Sequence, residues 1–298
     1  MTDASQIFIT GGTGFVGTEI QKALKGHKLK LLVREGAVGQ RNPDATYVKG
    51  DITDPGSLRG AMDGCSTVIH LVAIIAEEGD ATFDKIIRQG TENAVAEAKC
   101  AGVEHFMLMS AMGVRNDPRY PYYIAKYRAE ELVKQSGIPY TIFRPSIIFG
   151  PNDGFINQLA ELVRSAPLVP IAGSGKSLFQ PVSVTEVARS FDWAVDHPES
   201  RGHTYELGGP EILSYEEIID IIQHQLGTSK KKVHLPAGLV SAVVPLSSPL
   251  PRKLRPPVTR DQLRMLDIDN CTNASATAEL AGKPQLRLKD GIAYLNAP

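Results

Sequence analysis

The chain has 298 residues, a formal net charge of −1, 42% hydrophobic residues and three cysteines. That length suits one large α/β domain, or a nucleotide-binding domain with a smaller companion. The balanced charge gives no electrostatic footprint for nucleic acid, and no apolar run approaches the ~18 residues of a membrane span. Cys65, Cys100 and Cys271 are scattered and odd in number, as in a reducing compartment. With the first strand starting at Gln6 and no secretory leader ahead of it, a cytoplasmic location is expected. None of His27, His70, His105, His197, His203, His224 or His234 forms a ligand pair at useful spacing, so no metal is expected, and His70 reads as a satisfied buried residue.

The first predicted element is the strand Gln6–Thr10, which runs into Gly11, Gly12, Gly14 and Gly17 and then an amphipathic helix carrying Val16, Ile20, Ala23 and Leu24. A strand, a glycine turn and a helix N-terminus aim several backbone N–H groups and the helix dipole at one spot, which favours a phosphate. Gly11 and Gly12 permit the tight turn, Gly14 lets backbone approach a pyrophosphate, and Gly17 lets the helix pack on the strand. Thr13, Phe15 and Val16 complete the cradle.

Further strands are expected at Lys28–Val33, Thr46–Val48, Thr67–Leu71, His105–Met109 and Tyr140–Phe143, with helices at Phe83–Ala101 and Tyr122–Ser136. Strands alternating with helices imply an α/β fold, a doubly wound parallel sheet that takes its ligand outside the carboxyl ends of the strands. The second strand ends on Arg34, whose guanidinium suits a ribose 2′-phosphate and favours NADP(H) over NAD(H). Glu35 follows, and a strand end one residue later makes it a ribose ligand and reverses the preference. Asp51, with the Ile52 N–H alongside, is placed to accept from an adenine amino group, or to cap a turn. Leu71, Val72 and Ala73 pass along the middle of the dinucleotide.

After Gly150 the rhythm breaks into shorter mixed elements. The expected organisation is a nucleotide domain over residues 1–150, rejoined by about 178–200 through the helical pattern Val184–Val195, and a smaller capping region over 151–298. Everything from His203 onward is assigned to that lobe, with a proline-rich loop at Pro245–Pro257. The apolar segment His234–Leu246, flanked by Lys230–Lys232 and Arg252–Arg255, is expected to be core or lid, with a membrane-surface contact or an apolar substrate wall as the minor alternatives.

Ser110 stands at the carboxyl end of the fifth strand, and Tyr122 and Lys126 lie four apart on one face of the following helix. A neighbouring ammonium is expected to lower the phenol pKa, so that Tyr122 passes a proton to or from a substrate oxygen. Ser110 is expected to hydrogen-bond the same oxygen, and Lys126 to hold the nicotinamide ribose as well. The alternative is an amphipathic packing pair on the helix.

With these residues assembled, the chain resembles the extended and atypical short-chain dehydrogenase/reductase superfamily, which includes the NAD(P)-dependent epimerases and dehydratases, over nearly its whole length. TGGTGFVG, KGDITD, VIHLVA and TIFRPSIIFGPND carry the resemblance, and Ser110, Tyr122 and Lys126 fall on the catalytic positions. It implies that Pro145, Ser146 and Ile147 line the nicotinamide pocket. LVRE, SGIPYTIFRPSIIFGPND and PPVTRDQLRMLDIDN look most like the branch of the short-chain-dehydrogenase-like accessory subunit of mitochondrial complex I. Members of that branch often keep the nucleotide site and lose the tyrosine, which this chain retains. Together with Arg34, the resemblance implies an NADP(H)-dependent oxidoreductase acting on a carbonyl or alcohol. The alternatives are a non-catalytic NADPH-binding scaffold or assembly protein, and an NAD-dependent sugar-nucleotide epimerase or dehydratase. The two long helices offer packing surfaces for a homodimer.

Overall fold

Ile7, Phe8 and Ile9 of the first strand, β1 (Gln6–Thr10), are buried on both sides. An unbroken apolar run of this kind is what a strand covered on both faces requires. The structure, a computed structural model, describes residues 6–36, 42–235, 264–266, 268–282 and 285–296. In it β2 (Lys28–Val33), β3 (Ala45–Lys49), β4 (Cys65–His70), β5 (His105–Met109) and β6 (Tyr140–Pro145) run parallel to β1. The segment His203–Leu207 adds a seventh parallel strand beside β6, and the spatial order is His203–Leu207, β6, β5, β4, β1, β2, β3. The order reverses between β1 and β4, which opens a crevice at their carboxyl ends.

The seventh strand corrects the expectation that everything after His203 belongs to the smaller lobe. Its first two residues are exposed, and opposite β6 it meets only an isolated bridge from Glu206 to Ser275 among the described residues, so the alternation that announces a strand is weak. The chain divides into two compact units. One takes its described residues from Met1–Pro145, Val184–Leu207 and Ser275–Lys283, the other from Ser146–Ser183, Gly208–Ala274 and Pro284–Pro298.

In the first unit the helices include α1 (Phe15–Ala23), α2 (Pro55–Leu58), α3 (Gly90–Cys100) and α4 (Pro121–Lys134), with Val184–Asp196 packed on α1. The stretch expected as one helix over 83–101 begins as a π-helical segment, Asp84–Gln89, before α3. The second unit pairs short strands, among them Val169–Ala172 with Lys232–Leu235. Helices Ile156–Ser165 and Tyr215–Gln225 enclose a core that includes Phe149, Val163, Ile171, Ile218 and Ile222. The expected loop Pro245–Pro257, most of His234–Leu246 and the cluster Arg252–Arg255 lie outside the described residues. Among the described residues no helix is long and apolar enough to cross a membrane.

His70, at the end of β4, is 1% exposed between two threonines. Thr91 Oγ1 donates to the Ile87 carbonyl at 2.6 Å, so it accepts from His70 Nε2 at 3.2 Å, and Thr10 Oγ1 then donates to Nδ1 at 2.7 Å. That arrangement holds a neutral ring, and burial, with the Lys126 charge nearby, pushes the His70 pKa down to about 3. The unfolded chain takes up a proton near the ordinary value of about 6.5 while the folded one does not. Stability attributable to His70 is therefore complete above about 6.5 and is lost toward acid at about 1.4 kcal/mol per pH unit. Urea denaturation at neutral pH and at moderately acid pH checks this. His70→Gln is expected to flatten the acid loss by about one proton's worth, and an unchanged slope contradicts it.

Candidate functional site

The glycine turn is shaped by contacts that only glycine allows. Gly11 has φ +74°, a left-handed conformation, and lies against the backbone of Leu71 and Val72. A Cβ on Gly17 would sit 2.6 Å from Gly12 Cα and closer still to the Gly11 carbonyl oxygen, so helix and turn meet backbone to backbone. Gly14 differs: its φ is −79°, and an added Cβ would meet only the Gly11 oxygen, at 3.3 Å. It is exposed, it is the N-cap of α1, and no side chain caps that helix. The Phe15, Val16 and Gly17 amides, which have no carbonyl one turn earlier within the helix, are thus offered at an open end. Thr13 is exposed, Phe15 half-buried and Val16 buried. Gln21 Nε2 ties the turn down through the Gly12 carbonyl at 2.8 Å. This cradle fits a dinucleotide pyrophosphate.

Arg34 is the first residue past β2, and its side chain is exposed. Glu35, also exposed, lies 3.7 Å from Lys49 Nζ. Past β3, Asp51 turns one carboxylate oxygen back onto Thr53, accepting from its N–H and its hydroxyl, both at 2.8 Å. Burial raises the Asp51 pKa, but the Thr53 bonds and the Arg34 charge outweigh it, and the net shift is downward. Its turn role is therefore present, while Asp54 caps α2. Ile52 is buried, and its carbonyl accepts from Asn93 Nδ2 at 2.9 Å, a contact that the sequence reading missed. Leu71 is buried and Val72 and Ala73 are half-buried just beyond β4, which ends at His70.

Ser110, Tyr122 and Lys126 are all buried in the first unit, at 3%, 8% and 2% exposure. Pro121 opens α4 and brings Tyr122 and Lys126 onto its buried face. Two features differ from expectation. The Tyr122 phenol is pushed above its ordinary range, because burial between Phe83 and Tyr123 outweighs any help from the ammonium. Among the described residues no hydrogen bond joins Tyr122 to Lys126, whose Nζ donates instead to the Met109 carbonyl at 2.8 Å. Burial draws the Lys126 pKa down to about 8, against the opposing charge of Glu130. The second difference is at Ser110, whose hydroxyl donates at 2.5 Å to Glu130 rather than standing free for a substrate oxygen. Glu130 is the residue that sequence reasoning missed. Its signal was a charge four residues past Lys126, on the face that carries Tyr122 and Lys126.

Pro145 is buried, and its carbonyl accepts from Met112 N at 2.9 Å. Ser146 and Ile147 belong to the second unit, where Asn270 gathers them. Its Oδ1 lies 2.6 Å from Ser146 Oγ and accepts from the Ile147 N–H at 3.1 Å. Among the described residues no group of acidic, histidine or cysteine side chains is arranged to hold a metal.

Residues 11–159 match the family model described as NAD(P)H-binding, half of the chain. The 3 beta-hydroxysteroid dehydrogenase/Delta 5→4-isomerase of Mycobacterium tuberculosis is 32% identical, with 82% of this chain and 75% of that protein aligned. The chain belongs to the NAD(P)H-binding family. Within it, its relatives lie in the extended short-chain dehydrogenase/epimerase superfamily. The mitochondrial NADH dehydrogenase 1 alpha subcomplex subunit 9 of Arabidopsis thaliana is 27% identical over 95% of this chain and 72% of its own. The fold is shared with a nucleoside-diphosphate-sugar epimerase structure from Staphylococcus aureus, at TM-score 0.76 and 20% identity, covering 97% of this chain and 99% of that one.

Proposed function

We propose that the protein is an NADP(H)-dependent oxidoreductase interconverting a carbonyl compound and its alcohol. The observation that carries this reading is the buried face of α4, where Tyr122 and Lys126 stand one turn apart in the unit that also holds Ser110 and the glycine cradle. Nicotinamide, when bound, supplies a hydride to the carbonyl carbon. Tyr122, kept protonated by burial, donates its proton to the carbonyl oxygen, and receives it back in the opposite direction. Lys126, fixed by the Met109 carbonyl, keeps positive charge beside the phenol and reaches for the nicotinamide ribose. The turn at Gly11–Gly17 holds the pyrophosphate, and Asp51 and Ile52 border the adenine. The exposed Arg34 meets a 2′-phosphate.

The dehydrogenases among the relatives support this reading. A second one, a cofactor-holding protein without turnover, draws on the complex I subunit relative and on one observation, that the Ser110 hydroxyl already donates its hydrogen bond to Glu130. A sugar-nucleotide epimerase or dehydratase is disfavoured by Arg34, where such enzymes usually place an acidic ribose ligand. The protein is proposed to work in the cytoplasm on a small molecule.

Titration with NADPH and NADH tests the cofactor assignment. NADPH is expected to bind about tenfold more tightly, and Arg34→Ala to remove that difference while sparing NADH. Tighter NADH binding, with Arg34→Ala changing neither, contradicts it.

A further inference from the structure

Glu130 lies one turn beyond Lys126 and two beyond Tyr122 on α4, and its side chain is fully shielded from solvent. A carboxylate there is unfavourable unless its charge and lone pairs are met. They are met on every side. Oε1 accepts from Ser110 Oγ at 2.5 Å and from Arg144 Nε at 2.9 Å. Oε2 accepts from Arg144 Nη2 at 2.6 Å, with Lys134 Nζ 3.5 Å away. The fork of Arg144 on β6 suffices to neutralise the carboxylate. The bond to Ser110 is therefore not needed for the ion pair, and it connects that pair to the site.

We infer that Glu130 is a positioning residue: anchored by Arg144, it fixes the Ser110 hydroxyl and holds the Lys126 side chain as an ammonium ion. The catalytic consequence rests on the oxidoreductase reading, whereas the contacts that define the role do not. Ser110 has one proton to donate. With that hydrogen bond made to Glu130, its rotamer is set and only its lone pairs remain, to accept from the hydroxyl of an alcohol substrate or of Tyr122. Tyr122 is then the proton donor of the site. Lys126 feels the neutral His70 ring from β4, the Met109 carbonyl from β5, and Tyr122 and Glu130 from its own helix, while Arg144 of β6 is engaged by Glu130. Among these groups Glu130 supplies the negative charge that opposes the cost of burying the ammonium.

The test follows the Lys126 signal, identified by its loss in Lys126→Met, in protein carrying ¹³C,¹⁵N-labelled lysine. The signal is titrated across the neutral-to-alkaline range beside kcat and KM for carbonyl reduction. Glu130→Gln is expected to lower the Lys126 midpoint by about one unit. It is expected to lower kcat by about tenfold to a hundredfold with KM within about twofold. Ser110→Ala leaves the Lys126 midpoint in place. A Glu130 that only braces α4 against β6 would lower the melting temperature of Glu130→Gln and leave both the Lys126 midpoint and kcat at wild-type values, and that result overturns the inference. If Glu130→Gln fails to fold, Glu130→Asp keeps the charge near Arg144 but withdraws it from Ser110. A lowered kcat with a preserved Lys126 midpoint then supports the role, and an unchanged kcat refutes it. Wild-type protein that turns over no carbonyl, with the midpoint still shifted in Glu130→Gln, sinks the oxidoreductase reading and leaves the positioning of Lys126 standing. Turnover with an unshifted midpoint does the reverse.

Discussion

Tyr122→Phe is expected to lower carbonyl turnover by about 10²- to 10⁴-fold while the NADPH dissociation constant stays within about twofold. The ring packs edge-on against Phe83 and Tyr123, with centroids 5.7 and 5.4 Å apart, and phenylalanine keeps both contacts. Among the described residues no hydrogen-bond partner of the Tyr122 hydroxyl is found, so its removal strands no buried group and leaves the melting temperature close to wild type. The substitution therefore isolates the proton donor. Steady-state turnover with a fluorescence titration of NADPH measures both quantities. Full activity in the variant would show that the proton comes from elsewhere.

The glycine turn yields a contrast between two substitutions that look alike in the sequence. Gly17→Ala places a methyl group into backbone, 2.6 Å from Gly12 Cα, where neither side has a flexible atom to move. Overpacking of that kind costs about 1–3 kcal/mol, and a fall of several degrees in melting temperature is expected. Gly14→Ala meets no such obstacle: the backbone conformation suits alanine and the nearest atom is 3.3 Å away. The fold is expected to survive, but the methyl group stands on the open end of α1 where a pyrophosphate must approach. NADPH affinity is then expected to fall by about tenfold or more. Thermal melts and cofactor titrations of the two variants separate the effects. Wild-type NADPH binding by Gly14→Ala would move the dinucleotide away from this cradle.

What the sequence made legible was local. The strands Gln6–Thr10, Lys28–Val33 and His105–Met109 occur with the expected bounds, because an apolar run bounded by a turn carries its own limits. Tyr122 and Lys126 share a face because four-residue spacing on a helix dictates it. What stayed hidden depends on distant partners. Ser110 meets Glu130 across 20 residues, and Ser146 meets Asn270 across 124. Glu130 reads in isolation as a solvated helix charge, and only Arg144, brought beside it by β6, makes its burial tolerable. The direction of the Tyr122 shift was hidden for the same reason. Spacing supplied the neighbouring ammonium, whereas desolvation by Phe83 and Tyr123 comes from packing. The strand His203–Leu207 is polar at its start and forms a full ladder with β6 alone among the described residues, so only the completed sheet reveals it.

The central claim is that the bound nucleotide is used and not merely held. NADPH deuterated at the transferred position of C4, incubated with the wild-type protein and a panel of ketones, quinones and sugar nucleotides, tests it most directly by mass spectrometry of the products. The expected result is an alcohol carrying the deuterium on its former carbonyl carbon or, from a quinone, oxidised cofactor that has lost it, formed by wild type and not by Tyr122→Phe. Cofactor recovered from the protein with its deuterium intact, after exposure to every compound in the panel, would contradict the claim and favour a protein that keeps its nucleotide as part of its structure.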